Sequence, residues 1–179
     1  MAVTISETEG APASYPPTDA VTAPNGTEAN AAAIWQRLES WIAYRWRSRS
    51  VVYVIEGPGA WSPRLIPFTT STVEIWQGDA WEATTPRPSP LGGYILDGDG
   101  PYRVIGTAGD TSTPPADVLE AYRRLARFTV DHEDAGLSPA TMNVKDGDYD
   151  VGVVPGFAAK SLQLSGAADL LRRYRRLGA

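Results

Sequence analysis

The chain has 179 residues, 42% hydrophobic and 21% charged, with a net charge of −5 and a pI near 4.9. Such totals fit one globular domain with an appendage, and the acidity argues against wholesale nucleic-acid binding, which needs a dominant basic surface. There are no cysteines, so disulfides, thiol nucleophiles and thiolate metal sites are excluded, and no run approaches the ~18 apolar residues of a membrane span.

Residues 1 to 26 read as a disordered or extended segment. Residues 1 to 33 hold no Lys or Arg, and Pro12, Pro16, Pro17 and Pro24 interrupt any long helix. The start lacks the basic and apolar regions of a secretory signal. The expectation is a protein made and used in a cytoplasm, or assembled from one.

Residues 27 to 135 read as a globular helix–β–helix core. A helix is predicted over 28 to 47, capped by Thr27 or Asn30, with Ile34, Leu38, Trp41, Ile42 and Arg45 on one face. The period then changes. Residues 50 to 57, 64 to 68, 71 to 76 and 80 to 83 are predicted strands, with Gln77-Gly78-Asp79 as a tight turn. Residues 92 to 96 and 102 to 106 flank Asp97-Gly98-Asp99-Gly100-Pro101, a hairpin signal. Short turns between local strands imply an antiparallel meander. All six tryptophans lie between 35 and 81. They are either fillers of a thin core or interface anchors.

The second predicted helix opens at Ser112 or Thr113 with Pro114 and Pro115. Val118, Leu119, Tyr122, Leu125, Ala126 and Thr129 form its buried stripe. Arg123, Arg124 and Arg127 lie off that stripe, as a solvated or subunit-facing surface. Residues 136 to 164 have no sustained period and read as an extended arm. Residues 165 to 179, SGAADLLRRYRRLGA, read as a short basic amphipathic helix whose apolar stripe runs through Leu170, Tyr174 and Leu177, with Leu171 alongside. A helix so short is marginal alone in water and must dock on something. Its own domain, another protein, nucleic acid and a membrane surface are the options. Two or three leucines make a weak membrane anchor.

Catalytic chemistry finds little support. His132 is the only histidine and sits at a helix C-terminus, a favourable structural position. Asp146, Asp148 and Asp150 alternate, but a calcium loop needs Gly at its sixth position and Glu at its twelfth, where Val151 and Phe157 stand. No phosphate-cradling glycine motif is present. Glu74 and Glu82 could face each other across a hairpin, with nothing else to mark them as catalytic. The reading is therefore no enzyme, no cofactor and no metal.

The order of elements is familiar. A helix ending WIAYRWRSR, the β segment VVYVIEGPGAWSPRLIPFTTSTVEIWQGDAWE, then GGYIL and YRVIG, then PPADVLEAYRRLARF and a terminal SGAADLLRRYRRLG resemble the head-tail connector (adaptor) proteins of long-tailed bacteriophages. The resemblance is nearest to the adaptors of roseophages and gene transfer agents, and it spans roughly 30 to 179. The chain departs from the wider family near its proline-broken N-terminus, which favours a reduced helix pair.

The resemblance implies an α+β fold: two main helices packed with a small antiparallel meander, plus an extended C-terminal arm ending in a short helix. It implies a structural virion protein of the neck, made in the host cytoplasm. Such adaptors form a ring of twelve copies beneath the portal protein, extend the channel for packaged DNA, and meet a stopper or tail terminator. The implied portal-binding residues are Leu170, Leu171, Arg172, Arg173, Tyr174, Arg175, Arg176 and Leu177. Arg123, Arg124 and Arg127 are candidates for a subunit interface. The competing reading is a nucleic-acid-binding regulatory protein that uses the same basic terminal helix.

Overall fold

A computed structural model describes residues 1–134, 143–146, 149–152 and 160–175. The chain divides into two compact units. One comprises Met1–Pro16 and Ala43–Thr113; the other comprises Pro17–Ile42 and Pro114–Arg175. Residues 27 to 135, expected as one core, fall partly in each unit. The α+β class is the one the sequence implied.

The first unit is β-rich. Its strands are β1 (Val3–Glu9), β2 (Arg49–Glu56), β3 (Gly59–Trp61), β4 (Phe68–Gln77), β5 (Ala80–Ala83), β6 (Arg87–Pro88), β7 (Tyr94–Leu96) and β8 (Tyr102–Ala108). The five-stranded sheet runs in the order β1-β2-β8-β4-β5, antiparallel throughout. A small sheet runs β3-β7-β6. The strands on either side of Asp97–Pro101 therefore do not form the expected hairpin with each other. β7 pairs with β3 and β6, while β8 pairs with β2 and β4. Residues 64 to 68 form no separate strand; Ile66 makes one bridge to Tyr44, and Phe68 opens β4.

The alternation in β2 and β8 sets the core. Val51, Tyr53 and Ile55 point inward opposite Gly106, Val104 and Tyr102. Trp61, Leu65, Val73, Leu96 and Ala108 complete the cluster. Gly106 is required by packing, because a β-carbon there would lie 2.6 Å from the Phe68 ring. The β4–β5 turn is built as expected. Gly78 and Asp79 both hold positive φ, at 57° and 66°, the mirror-image turn that suits the twist of a two-residue hairpin.

The second unit is helical. Asn30 caps α1 (Ala31–Glu39) by accepting from the Ala33 amide at 3.2 Å. The helix stops well short of residue 47. Ser40 turns back onto the Arg37 carbonyl, and further on Ala43 and Arg45 give their backbone groups to Ile66. α2 (Ala116–Asp134) buries Val118, Ala121, Tyr122, Leu125, Ala126 and Val130. Val130 takes the place expected of Thr129, whose hydroxyl bonds the Leu125 carbonyl instead. Trp35 of α1 meets Tyr122 of α2 with ring centroids 5.2 Å apart.

Part of the expected arm is a hairpin, β9 (Asn143–Asp146) with β10 (Tyr149–Gly152). The side chains of the alternating aspartates lie outside the described residues, as does most of 135 to 159. Among the described residues no helix is long and apolar enough to cross a membrane.

Candidate interaction surfaces

The C-terminal segment is the first candidate. It is not one helix but α3 (Ser161–Leu164), α4 (Ala167–Leu170) and a 3-10 turn over Arg172–Tyr174. Gly166 separates the helical turns with φ of 73°, a conformation glycine adopts without strain. The break shifts the phase of the apolar stripe. Leu162, Ala167 and Leu171 are the buried residues, while Leu170 and Tyr174 are only partly covered. α3 and α4 both pack against α2 of the same unit. Leu171, one of the residues implied to meet the portal, is enclosed in its own unit.

Polar contacts hold the end of this segment. Arg173 pairs with Asp117 at 2.7 Å, and the Tyr174 hydroxyl donates to the same carboxylate at 3.1 Å. Burial foremost, with the Asp117 charge in support, pushes the Tyr174 phenol up. The Arg175 guanidinium stands 4.3 Å over the Trp41 ring. Arg172 pairs with Asp169 one turn earlier, with both side chains largely in water. What the segment presents outward is charge: Arg172, Arg173 and Arg175 are all exposed. Arg176 and Leu177 lie outside the described residues.

The second candidate is the arginine face of α2. Arg123 and Arg124 both bind Glu120, at 2.7 and 2.8 Å, and Arg127 binds Asp131 at 3.0 Å. Hydrogen bonds from Arg123 and then Arg124 hold the Glu120 carboxyl down at about 2. The face is a ladder of paired charges on its own helix. Arg123 also lines a cleft of about 430 Å³ with Pro17, Val21, Leu119 and Tyr122.

A third feature was not found in the sequence. Glu9 of β1 binds Arg45 through both carboxylate oxygens, at 2.6 and 3.0 Å, and Arg49 at 3.0 Å. Both arginines are buried. Burial alone would raise the Glu9 carboxyl, but Arg45 and then Arg49 outweigh it and hold it below the usual carboxylate range. Two residues earlier, Glu7 binds Arg64 through both oxygens. The signal available in sequence was the alternation of Glu7 and Glu9 in a segment without any base.

The residues tested for chemistry have structural surroundings. The His132 ring stacks on Phe128, and its Nδ1–H donates to the Phe128 carbonyl at 2.6 Å. Glu74 lies opposite Ala83, so Glu82 is on the other face of the hairpin, and Glu74 pairs with Arg103 at 2.5 Å. Among the described residues no His, Cys, Asp and Glu cluster could hold a metal ion. The tryptophans divide: Trp35, Trp46 and Trp61 are core, whereas Trp76 is 40% exposed and meets the Trp81 ring edge-on at 5.3 Å.

The architecture is an α+β chain with a five-stranded antiparallel sheet and a helix pair in separate units. No family model and no curated protein matches it. Among solved structures it is similar to a chain in "Virion of native gene transfer agent (GTA) particle", at 16% identity over 83% of this chain and 76% of that one, with a TM-score of 0.48. It is also similar to a chain in "Neck of native GTA particle computed with C12 symmetry", at 17% identity over 83% and 81%, with a TM-score of 0.46.

Proposed function

We propose that the chain is a structural virion protein of the neck, a head-tail adaptor that forms a ring beneath the portal and docks the stopper or tail. The order of its elements, which resembles the adaptors of phages and gene transfer agents, supports the class. The observation that carries the partner surface is the exposed cluster Arg172, Arg173 and Arg175 at the end of an acidic chain. Leu171 and Tyr174 fix the base of that cluster to α2, and Arg172, Arg173 and Arg175 stay exposed on that support. Arginine suits bidentate contacts with carboxylates that lose water on docking.

On this reading Arg172, Arg173, Arg175 and Arg176 meet acidic side chains of the portal. Leu170 and Leu177 border that contact. The paired face of Arg123, Arg124 and Arg127, with the cleft beside it, meets the neighbouring copy. Heterologous contacts that close by rotation give such a ring, with two different faces on every subunit. Packaged DNA passes through the lumen, and the acidic body limits its retention there. The chain performs no catalysis and needs no cofactor.

The test is native mass spectrometry of the chain mixed with its portal ring. Wild type is expected to load in stoichiometric amounts. Arg172→Glu/Arg175→Glu is expected to load poorly while keeping its fold by circular dichroism. Equal loading of both would remove the tail from the portal contact. No loading of either, with DNA binding that falls steeply with salt, would instead favour a nucleic-acid-binding role.

A further inference from the structure

The chain builds its β unit from two separate pieces. Residues 1–16 enter it first, the chain then passes through the helical unit over 17–42, and the remainder of the β unit begins at Ala43. The first piece is therefore joined to its own sheet only through the other unit. Its key contact, Glu9 to Arg45, spans 36 residues of sequence. No tight turn dictates which copy of the sheet the piece must join.

That piece is held by pairing and charge more than by apolar packing. β1 lies at the edge of the sheet, and among the described residues its only strand neighbour is β2. Val3 and Ile5 remain 49% and 59% exposed. The specific contacts are ionic and polar. The groove beside β2 holds Arg45, Arg49 and Arg64, and the arm brings Glu9 and Glu7 to them. Trp61 Nε1–H donates to Thr4 Oγ1 at 2.9 Å, and the Arg49 guanidinium lies 5.9 Å from the centre of the Tyr15 ring. The arm carries no Lys or Arg of its own. Groove and arm are thus complementary in charge, and the code is carried by side chains that any copy of the arm would supply.

We propose that residues 1–16 are an exchangeable arm, and that the arginine-lined groove beside β2 accepts the arm of a second copy of this chain. Exchange remakes the same hydrogen bonds and ion pairs between copies, so it costs few contacts. The crossing point is Pro16-Pro17, where the chain leaves the β unit. A proline pair is stiff, so the chain crosses there in extended form.

The chain's lack of cysteine makes the test direct. Thr8 and Val52 are cross-strand partners in β1 and β2. Thr8→Cys is placed in one chain and Val52→Cys in another, and the two are mixed at high concentration under mild oxidation. The mixed disulfide forms only where the arm of one copy lies in the groove of the other. Its yield is expected to exceed, by roughly tenfold, that of Thr8→Cys mixed with Leu91→Cys, because docking raises the local concentration of the two thiols. Glu9→Gln in the Thr8→Cys chain should abolish the excess. A yield no higher than the control, with a Thr8→Cys/Val52→Cys chain closing only on itself, would overturn the exchange. The exchange needs two copies and no ring. Mixed disulfides without rings would leave it standing and remove the adaptor assembly; rings without mixed disulfides would do the reverse.

Discussion

Tyr174 donates its hydroxyl to Asp117, 3.1 Å away in the first turn of α2, and so ties the end of the described chain to the start of the long helix. Arg173 reaches the same carboxylate at 2.7 Å. Arg173 is largely in water, so solvent screens its ion pair, and the Tyr174 hydrogen bond carries more of the tie. Asp117→Ala is expected to lower stability by about 1–2 kcal/mol in urea unfolding. Amide exchange should quicken at Arg172–Arg175 and stay unchanged in the β unit.

Leu171 is the apolar anchor of the same segment, fully enclosed at the end of α4. Leu171→Ala should cost about 2–4 kcal/mol, because the packing of α4 on α2 leaves a cavity that closes only in part. Arg172→Ala, whose pair with Asp169 is solvated on both sides, should stay within about 0.5 kcal/mol of wild type. Thermal melts of the two variants separate an anchored tail from a loosely lying one. Equal melting temperatures would show that the tail contributes nothing to the helical unit.

The contrast between these two residues marks what sequence could tell. Helical spacing places Leu170, Tyr174 and Leu177 on one stripe with Leu171 alongside, which holds only if the helix is continuous. Gly166 and the 3-10 turn interrupt it, and Leu171 becomes the buried position. Strands β2 and β8 were legible because both alternate strictly and both lie mid-sheet. The Gly78-Asp79 turn was legible because its chemistry is local. β1 was not, since its inward residues are Glu7 and Glu9, and their partners Arg45, Arg49 and Arg64 stand far along the chain. The glycines of Asp97–Pro101 do mark a turn, with positive φ at Gly98 and Gly100, but local chemistry does not choose strand partners.

Glu9 supports the β unit through charge, so its removal should be felt there. Glu9→Gln takes away the carboxylate shared by two buried guanidiniums and is expected to cost about 3 kcal/mol. The pH dependence has a definite sign. The Glu9 carboxyl is held below its usual value of 4.5 in the folded state. Its contribution is therefore complete above about pH 4.5 and is lost as pH falls through the lowered folded value. Wild type should lose stability across that acid range, and Glu9→Gln should lose less. Parallel pH profiles for the two would mean that the Glu9 ion pairs carry no net free energy.

At the alkaline end, Tyr53 sets the corresponding limit. Its hydroxyl accepts from the buried Leu65 amide at 3.1 Å, and its ring packs edge-on against Trp61 and Phe68. Burial pushes the phenol up to about 12, from a usual value of 10. The neutral form is thus favoured by folding. The stabilisation is complete below pH 10 and is lost as pH rises from there through about 12, because the unfolded chain gives up the proton first. Tyr53→Phe keeps the ring but removes both the titration and the acceptor for Leu65. It should lower stability at neutral pH by about 1 kcal/mol and flatten the alkaline loss. Urea midpoints at pH 8 and pH 11 decide the matter: a wild-type midpoint unchanged between them would show that Tyr53 ionises freely in the folded sheet.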